Sequence, residues 1–121
     1  MTGTAERVDV AVARAIWRAG DTVVDVRTAQ EYAHGHLPGA VNVPVDALAF
    51  WVAELPAGQV LTVCSMGNRS WRAAQLLANA GREALSLTGG TKAWSAAGMP
   101  LVTGPEPGER TRRRRFGRRQ R

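Results

Sequence analysis

Short apolar runs and helix-spaced apolar faces take turns along this chain, with turn residues between them. Residues 10–18 read as a helix that Asp9 caps and Gly20 ends, and the β-branched run at 22–26 reads as a buried strand. Thr28-Ala29-Gln30-Glu31 has the capping-box pattern: the Thr28 hydroxyl can accept from the amide three residues on while Glu31 reaches back. That helix is brief, because Gly35 follows. Pro38-Gly39 marks a turn, 40–43 a short strand, and 46–54 a helix whose Leu48, Phe50, Trp51 and Leu55 are expected to cover a sheet. Residues 59–63 form the next strand, which ends at Cys64. Beyond the loop that leaves it, Ala73, Leu76, Leu77 and Ala80 keep the spacing of a helix over 70–80 with one packed face, and Gly81 supplies its C-terminal cap. Residues 84–87 read as a last strand and 91–97 as a short helix closed by Gly98. Strands alternating with helices at this pitch predict an α/β domain with a parallel sheet, whose ligand sites lie at the C-terminal edge of the strands.

Length and composition fit one domain with one modest core: 121 residues, 45% hydrophobic and 21% charged, with no internal repeat. Near Met1 there is no signal-like apolar stretch, and nowhere a run of about 18 apolar residues, so no transmembrane segment and a cytoplasmic location are expected. The single cysteine cannot form an intramolecular disulfide, which suits a reducing compartment where a free thiol can cycle.

The net charge of +6 is unevenly placed. Eight arginines and no acid stand in the last twelve residues, which begin at Arg110 and end at Arg121; that end carries +8 and residues 1–109 carry −2. The expected organisation is therefore a folded domain over 1–102, a Pro/Gly-rich linker over 103–109 and a disordered arginine-rich tail over 110–121. Such a tail could contact a polyanion or an acidic protein partner, or simply remain solvated.

Candidate chemistry gathers where the strand at 59–63 hands over to the next helix, at Cys64-Ser65-Met66-Gly67-Asn68-Arg69-Ser70. A tight strand-to-helix loop with a central glycine can turn successive N–H groups inward, and the helix adds its unpaired N-terminal donors. A thiolate is stabilised there, so Cys64 is expected to ionise below the ordinary thiol range of about 8.5. A buried structural cysteine would need no such cradle: Gly67, Asn68, Arg69 and Ser70 are loop, turn and cap types rather than strand formers. Gly67 is expected to matter for its conformation, Asn68 to tolerate a left-handed backbone, and Ser70 to cap the helix. Arg69 follows Cys64 with four residues between, one fewer than in tyrosine-phosphatase-like loops, so the ring is small for a tetrahedral phosphate and suits one extra sulfur atom on the cysteine.

This loop, together with Asp25-Val26-Arg27, Glu31-Tyr32, Gly35-His36-Leu37-Pro38-Gly39-Ala40, Asn42-Val43-Pro44, Gly89-Gly90, Trp94 and Gly98-Met99-Pro100, resembles the single-domain rhodaneses, the thiosulfate sulfurtransferase family. The resemblance runs in order from about Val8 to Val102. It implies a three-layer domain with a central, mainly parallel five-stranded sheet flanked by helices, and a persulfide formed on Cys64 and held by the loop from Ser65 through Arg69. It further implies sulfur transfer from thiosulfate or a persulfide donor to a thiol or cyanide, with no cofactor and no metal. Many thiosulfate-using members carry a lysine or arginine among the first residues after the cysteine, whereas Ser65 and Met66 are neutral and Arg69 is the only charge in the loop. Thiosulfate is thus expected to be usable, with a protein or low-molecular-weight persulfide equally suited. Arg69 has two readings, neutralising the persulfide or bracing the loop.

Other residues receive plainer readings. His34 and His36 flank Gly35 without further ligands at zinc-site spacing and read as turn residues. Asp25 and Arg27 are expected to bond to neighbouring backbone or to Glu31. The tryptophans Trp17, Trp51, Trp71 and Trp94 read as packing, with Trp71 alone placed to shape access to Cys64. An alternative function is a non-catalytic binding module of the same fold that docks through the arginine-rich tail. Phosphatase chemistry is disfavoured by the loop length.

Overall fold

The structure, a computed structural model, describes residues 2–110. The elements run β1 (Thr4–Val8), α1 (Val10–Arg18), β2 (Thr22–Asp25), α2 (Ala29–His34), β3 (Val41–Asn42), α3 (Leu48–Trp51), β4 (Val60–Val63), α4 (Asn68–Asn79), β5 (Glu83–Leu87) and α5 (Gly90–Ala96). The five strands form one sheet in the order β1-β5-β4-β2-β3, every neighbouring pair parallel. Each strand is fed by a crossover through a helix or turn, so all strand ends that carry loops into the following helices lie along one edge. β4 is central, between β5 and β2, and Cys64 directly follows it on that edge.

Both faces of the sheet are covered. On one, Leu61, Val63, Val23 and Leu87 pack with Ala13, Ile16 and Trp17 of α1 and Trp94 of α5; on the other, Val24, Val60 and Ala84 pack with Leu48 and with Ala73, Ala74 and Leu77 of α4. Trp17 and Trp94 meet edge to face, 5.4 Å between centroids, and each indole N–H reaches a carbonyl, Pro38 and Pro100 respectively. Asp9 caps α1 by accepting from the Val12 amide, and Thr28 with Glu31 forms the capping box of α2.

Three features differ from the pattern read along the chain. β1 is an edge strand of mixed composition, paired to β5 from Thr4↔Glu83 to Val8↔Leu87; with Glu6 and Arg7 exposed it carries no apolar alternation. Residues 45–54 form not one helix but three short turns, 3₁₀ at Val45–Ala47, α at Leu48–Trp51 and 3₁₀ at Val52–Glu54. The near-zero ψ of Ala47 and Trp51 breaks the 3.6-residue repeat, so Leu48 is buried and Leu55 half-buried, while Phe50 and Trp51 are 85% and 51% exposed and do not cover the sheet. In α4 the buried face is Ser70, Ala73, Ala74, Leu77 and Ala78; Ala80 is exposed.

Residues 103–109, read from composition as a linker, run back along the domain. Val102 and His36 exchange backbone hydrogen bonds, the Gly104 amide donates to Ala33, the Gly39 amide to Pro107, and the Arg110 guanidinium to the Trp17 carbonyl at the end of α1. Buried His36 stacks on Tyr32, 3.7 Å between centroids, with Nδ1 2.8 Å from the Tyr32 carbonyl and Nε2 2.9 Å from that of Glu106. The histidine is the hub that fastens this segment. The rest of the expected tail, from residue 111, lies outside the described residues.

Candidate active site

β4 delivers Cys64 to the sheet edge, and α4 begins four residues later at Asn68. Gly67 stands at the N-cap position in the left-handed region, φ +116°, where a Cβ would press to 3.3 Å from the Gly89 amide. No side chain at Gly67 can cap the helix. The Cys64 sulfur takes that role instead: the Gly67 amide donates to Sγ at 3.0 Å and the Ser70 amide, in the first turn of α4, at 3.3 Å. Thus the orphan donors of a helix N-terminus are spent on a sulfur that the preceding strand holds in place.

The Ser70 hydroxyl lies 3.6 Å from the sulfur and 2.8 Å from the Ser86 hydroxyl of β5, forming a buried polar chain beside Cys64. Thr62 of β4 anchors it by donating to the Ser70 carbonyl at 2.8 Å. Burial alone pushes the Cys64 thiol up, but the Ser70 hydroxyl and the amides of Ser70, Gly67 and Met66 outweigh it, and the net displacement is below the ordinary thiol value.

A second helix fixes the other polarity of the loop. At the start of α5 the Thr91 amide donates to the Cys64 carbonyl at 2.9 Å and the Lys92 amide to the Ser65 carbonyl at 3.3 Å. Gly90 is required for this approach, since a Cβ there would overlap the Cys64 and Ser65 carbonyls.

Among the loop residues, Cys64 and Ser70 are buried, Ser65 and Gly67 half-buried, and Met66 and Asn68 exposed. Asn68 is the first residue of α4 and has no left-handed backbone; Gly67 alone in the loop carries it. Ser70 lies inside the first turn rather than at the cap and faces the sulfur. Arg69 is engaged by Glu31 of α2 at 2.8 and 3.1 Å, the bracing geometry of its two readings. Arg27 grips Asp25, with Nη2 2.7 Å from Oδ2, and also donates to the Gly35 carbonyl, so Glu31 is not its partner. Two residues that contact the loop have no signal in the loop motif. Ser86 is a polar residue inside an apolar strand, and Glu31 reads from the sequence as a cap and as a partner for Asp25 or Arg27 rather than for Arg69.

A model of the family described as Rhodanese-like domain matches residues 10–97. Over 93 residues the chain is 38% identical to an HTH-type transcriptional regulator of Mycobacterium tuberculosis, a match that covers 72% of this chain and 40% of the regulator. Over 82 residues it is 35% identical to a sulfurtransferase of Allochromatium vinosum, covering 66% of this chain and 77% of that protein. Among solved structures, a thiosulfate sulfurtransferase from Pseudomonas aeruginosa superposes with a TM-score of 0.76 at 28% identity, over 87% of this chain and 21% of that one. A rhodanese-related protein from Thermoplasma volcanium does so with a TM-score of 0.75 at 27% identity, over 84% of this chain and 99% of that one. The chain thus spans less than half of the regulator and about a fifth of the Pseudomonas protein.

Proposed function

Because this chain belongs to the rhodanese-like domain family, we propose that it is a sulfurtransferase that carries a sulfane sulfur as a persulfide on Cys64. The observation that supports this most is the sulfur itself, at the end of the central strand and facing two amides of the α4 N-terminus at 3.0 and 3.3 Å. Donors already aimed at that position need no rearrangement when negative charge develops there, the condition under which such groups lower a barrier most.

In this reading the Cys64 thiolate attacks the sulfane sulfur of thiosulfate or of a persulfide. A bond from Sγ to that sulfur forms as the donor's sulfur–sulfur bond breaks, and the electron pair leaves with sulfite or with the donor thiolate. An acceptor thiolate or cyanide then attacks the outer sulfur, and Cys64 departs as thiolate. The sequence of steps is redox-balanced and needs no metal or organic cofactor. Phosphatase chemistry fits less well, because the arginine that a phosphate-binding loop would aim at its anion is held by Glu31.

The likeness to the mycobacterial regulator favours a second reading, in which the fold serves as a binding module. Intact-mass spectrometry of reduced protein, incubated with thiosulfate or glutathione persulfide and then with cyanide, separates the two. Gain of one sulfur atom, removed by cyanide and absent in Cys64→Ser, supports transfer; no gain with either donor supports the module.

A further inference from the structure

Ser86 places a hydroxyl where the strand pattern asks for an apolar side chain. It lies two positions after Ala84 on the face of β5 that packs against α4, and it is 1% exposed. A methyl group would fill that space, whereas a buried hydroxyl costs free energy unless it is hydrogen-bonded. Its register partner on β4 is Thr62, which is also buried. The two hydroxyls converge on one residue of α4: Thr62 donates to the Ser70 carbonyl at 2.8 Å, and the Ser86 oxygen lies 2.8 Å from the Ser70 hydroxyl. Ser70 is thus held by its main chain and by its side chain.

A hydroxyl has one hydrogen to give, and three atoms around Ser70 could receive it: the Gly67 carbonyl oxygen at 3.2 Å, the Ser86 oxygen at 2.8 Å and the Cys64 sulfur at 3.6 Å. When Cys64 is a thiol, the sulfur can donate to Ser70, whose hydrogen then rests on the carbonyl or on Ser86. A negatively charged sulfur can only accept, and it draws the Ser70 hydrogen to itself. The contact between the two hydroxyls then survives only if Ser86 is the donor. Gly67 loses little by the change, because its carbonyl keeps the Trp71 amide at 3.1 Å. One hydrogen-bond chain therefore has two directions, and the charge on the sulfur decides between them.

We propose that Ser86 is a positioning residue for the reaction at Cys64: by donating to Ser70 it commits the single Ser70 hydrogen to the sulfur whenever negative charge arrives there. The reaction is the sulfur transfer proposed above, on which the inference rests for its chemistry. As the acceptor takes the outer sulfur, the sulfur–sulfur bond breaks and its electron pair returns to Sγ. A hydrogen already aimed at that atom stabilises the departing thiolate. Ser86 acts from outside the loop, and its effect passes through Ser70.

The test compares the full-length wild type with Ser86→Ala, with the equal-volume pair Ser86→Thr and Ser86→Val, and with Ser70→Ala alone and combined with Ser86→Ala. Two rates are followed: iodoacetamide alkylation of Cys64 against pH, and discharge of the preformed persulfide to cyanide. The charged groups coupled at the site, Arg69 of α4 with Glu31 of α2 and Asp25 of β2, are left intact in every variant. Ser86→Ala and Ser86→Val are expected to raise the alkylation midpoint and to slow discharge about fivefold, the worth of one ordinary hydrogen bond, while Ser86→Thr stays close to wild type. In the Ser70→Ala background, Ser86→Ala should change either rate by no more than about twofold, since the residue through which it acts is gone. An unchanged midpoint in Ser86→Ala, equal effects of Ser86→Thr and Ser86→Val, or a full effect in the Ser70→Ala background overturns the assignment. A raised midpoint in a protein that never forms a persulfide upholds the role of Ser86 at the sulfur and removes the sulfur-transfer reading; persulfide formation with an unchanged midpoint does the reverse. Melting temperatures verify folding, and the Thr and Val pair carries the comparison should Ser86→Ala prove unstable.

Discussion

Arg69 and Glu31 form a two-pronged ion pair, Nη1 to Oε1 at 2.8 Å and Nη2 to Oε2 at 3.1 Å, and the same carboxylate accepts from the Thr28 amide at 3.0 Å. One side chain thereby closes the capping box of α2 and tethers the first turn of α4. The arginine bond first, and the Thr28 amide next, hold the Glu31 carboxyl at about 2 against an ordinary 4.5.

Glu31→Gln is expected to lower stability at pH 7 by about 1 kcal/mol, a figure discounted for the exposure of the pair. The folded value lies below the unfolded one, so this contribution is complete above about 4.5 and fades as pH falls toward 2. Denaturation curves of wild type and variant should therefore converge across that window. A gap that stays constant with pH would contradict it.

For Cys64, the iodoacetamide rate plotted against pH is expected to show a midpoint below that of a free thiol, about 8.5. Ser70→Ala removes the hydroxyl that counts most among the groups opposing burial, and its midpoint should rise. A wild-type midpoint at or above the free-thiol value would refute the hydrogen-bonded thiolate.

The C-terminal segment gives a test by truncation. A chain ending at Val102 leaves His36 Nε2 without the Glu106 and Pro107 carbonyls and the Gly39 amide without Pro107. Relative to a chain ending at Arg110, it should be less stable by about 2 kcal/mol, the cost of buried polar groups left unpaired. Equal urea midpoints would show that the segment rests on the surface without fastening it.

Gly90→Ala is expected to disturb the active site from behind. Its Cβ would overlap the Cys64 and Ser65 carbonyls in a left-handed backbone, φ +57°. The cost should exceed about 2 kcal/mol and be accompanied by slower Cys64 alkylation, because α5 must withdraw from the loop. Gly98→Ala, also left-handed but with nothing near its Cβ, should lose about 1 kcal/mol with little change in reactivity.

The apolar runs of β2, β4 and β5, the Asp9 cap and the Thr28 capping box were legible because each is a local agreement between residue type and backbone. β1 was not, since an edge strand with Glu6 and Arg7 exposed is defined by its pairing to β5 rather than by its own pattern. The turns around α3 escaped for the opposite reason: Phe50 and Trp51 look like core residues, and only the broken helical repeat shows that they face out. At the site, the Cys64 loop was evident from its spacing, while Glu31 and Ser86 arrive there from two other elements that only the tertiary fold brings together.

With α4 taking the sulfur and α5 taking the carbonyls of Cys64 and Ser65, main-chain groups form much of the cradle around Cys64. The exposed side chains of Met66 and Asn68 are then free to vary without disturbing those bonds. Such a division parts the scaffold from its rim: replacing Met66 or Asn68 changes what the loop presents to solvent and leaves the amides that face the Cys64 sulfur in place.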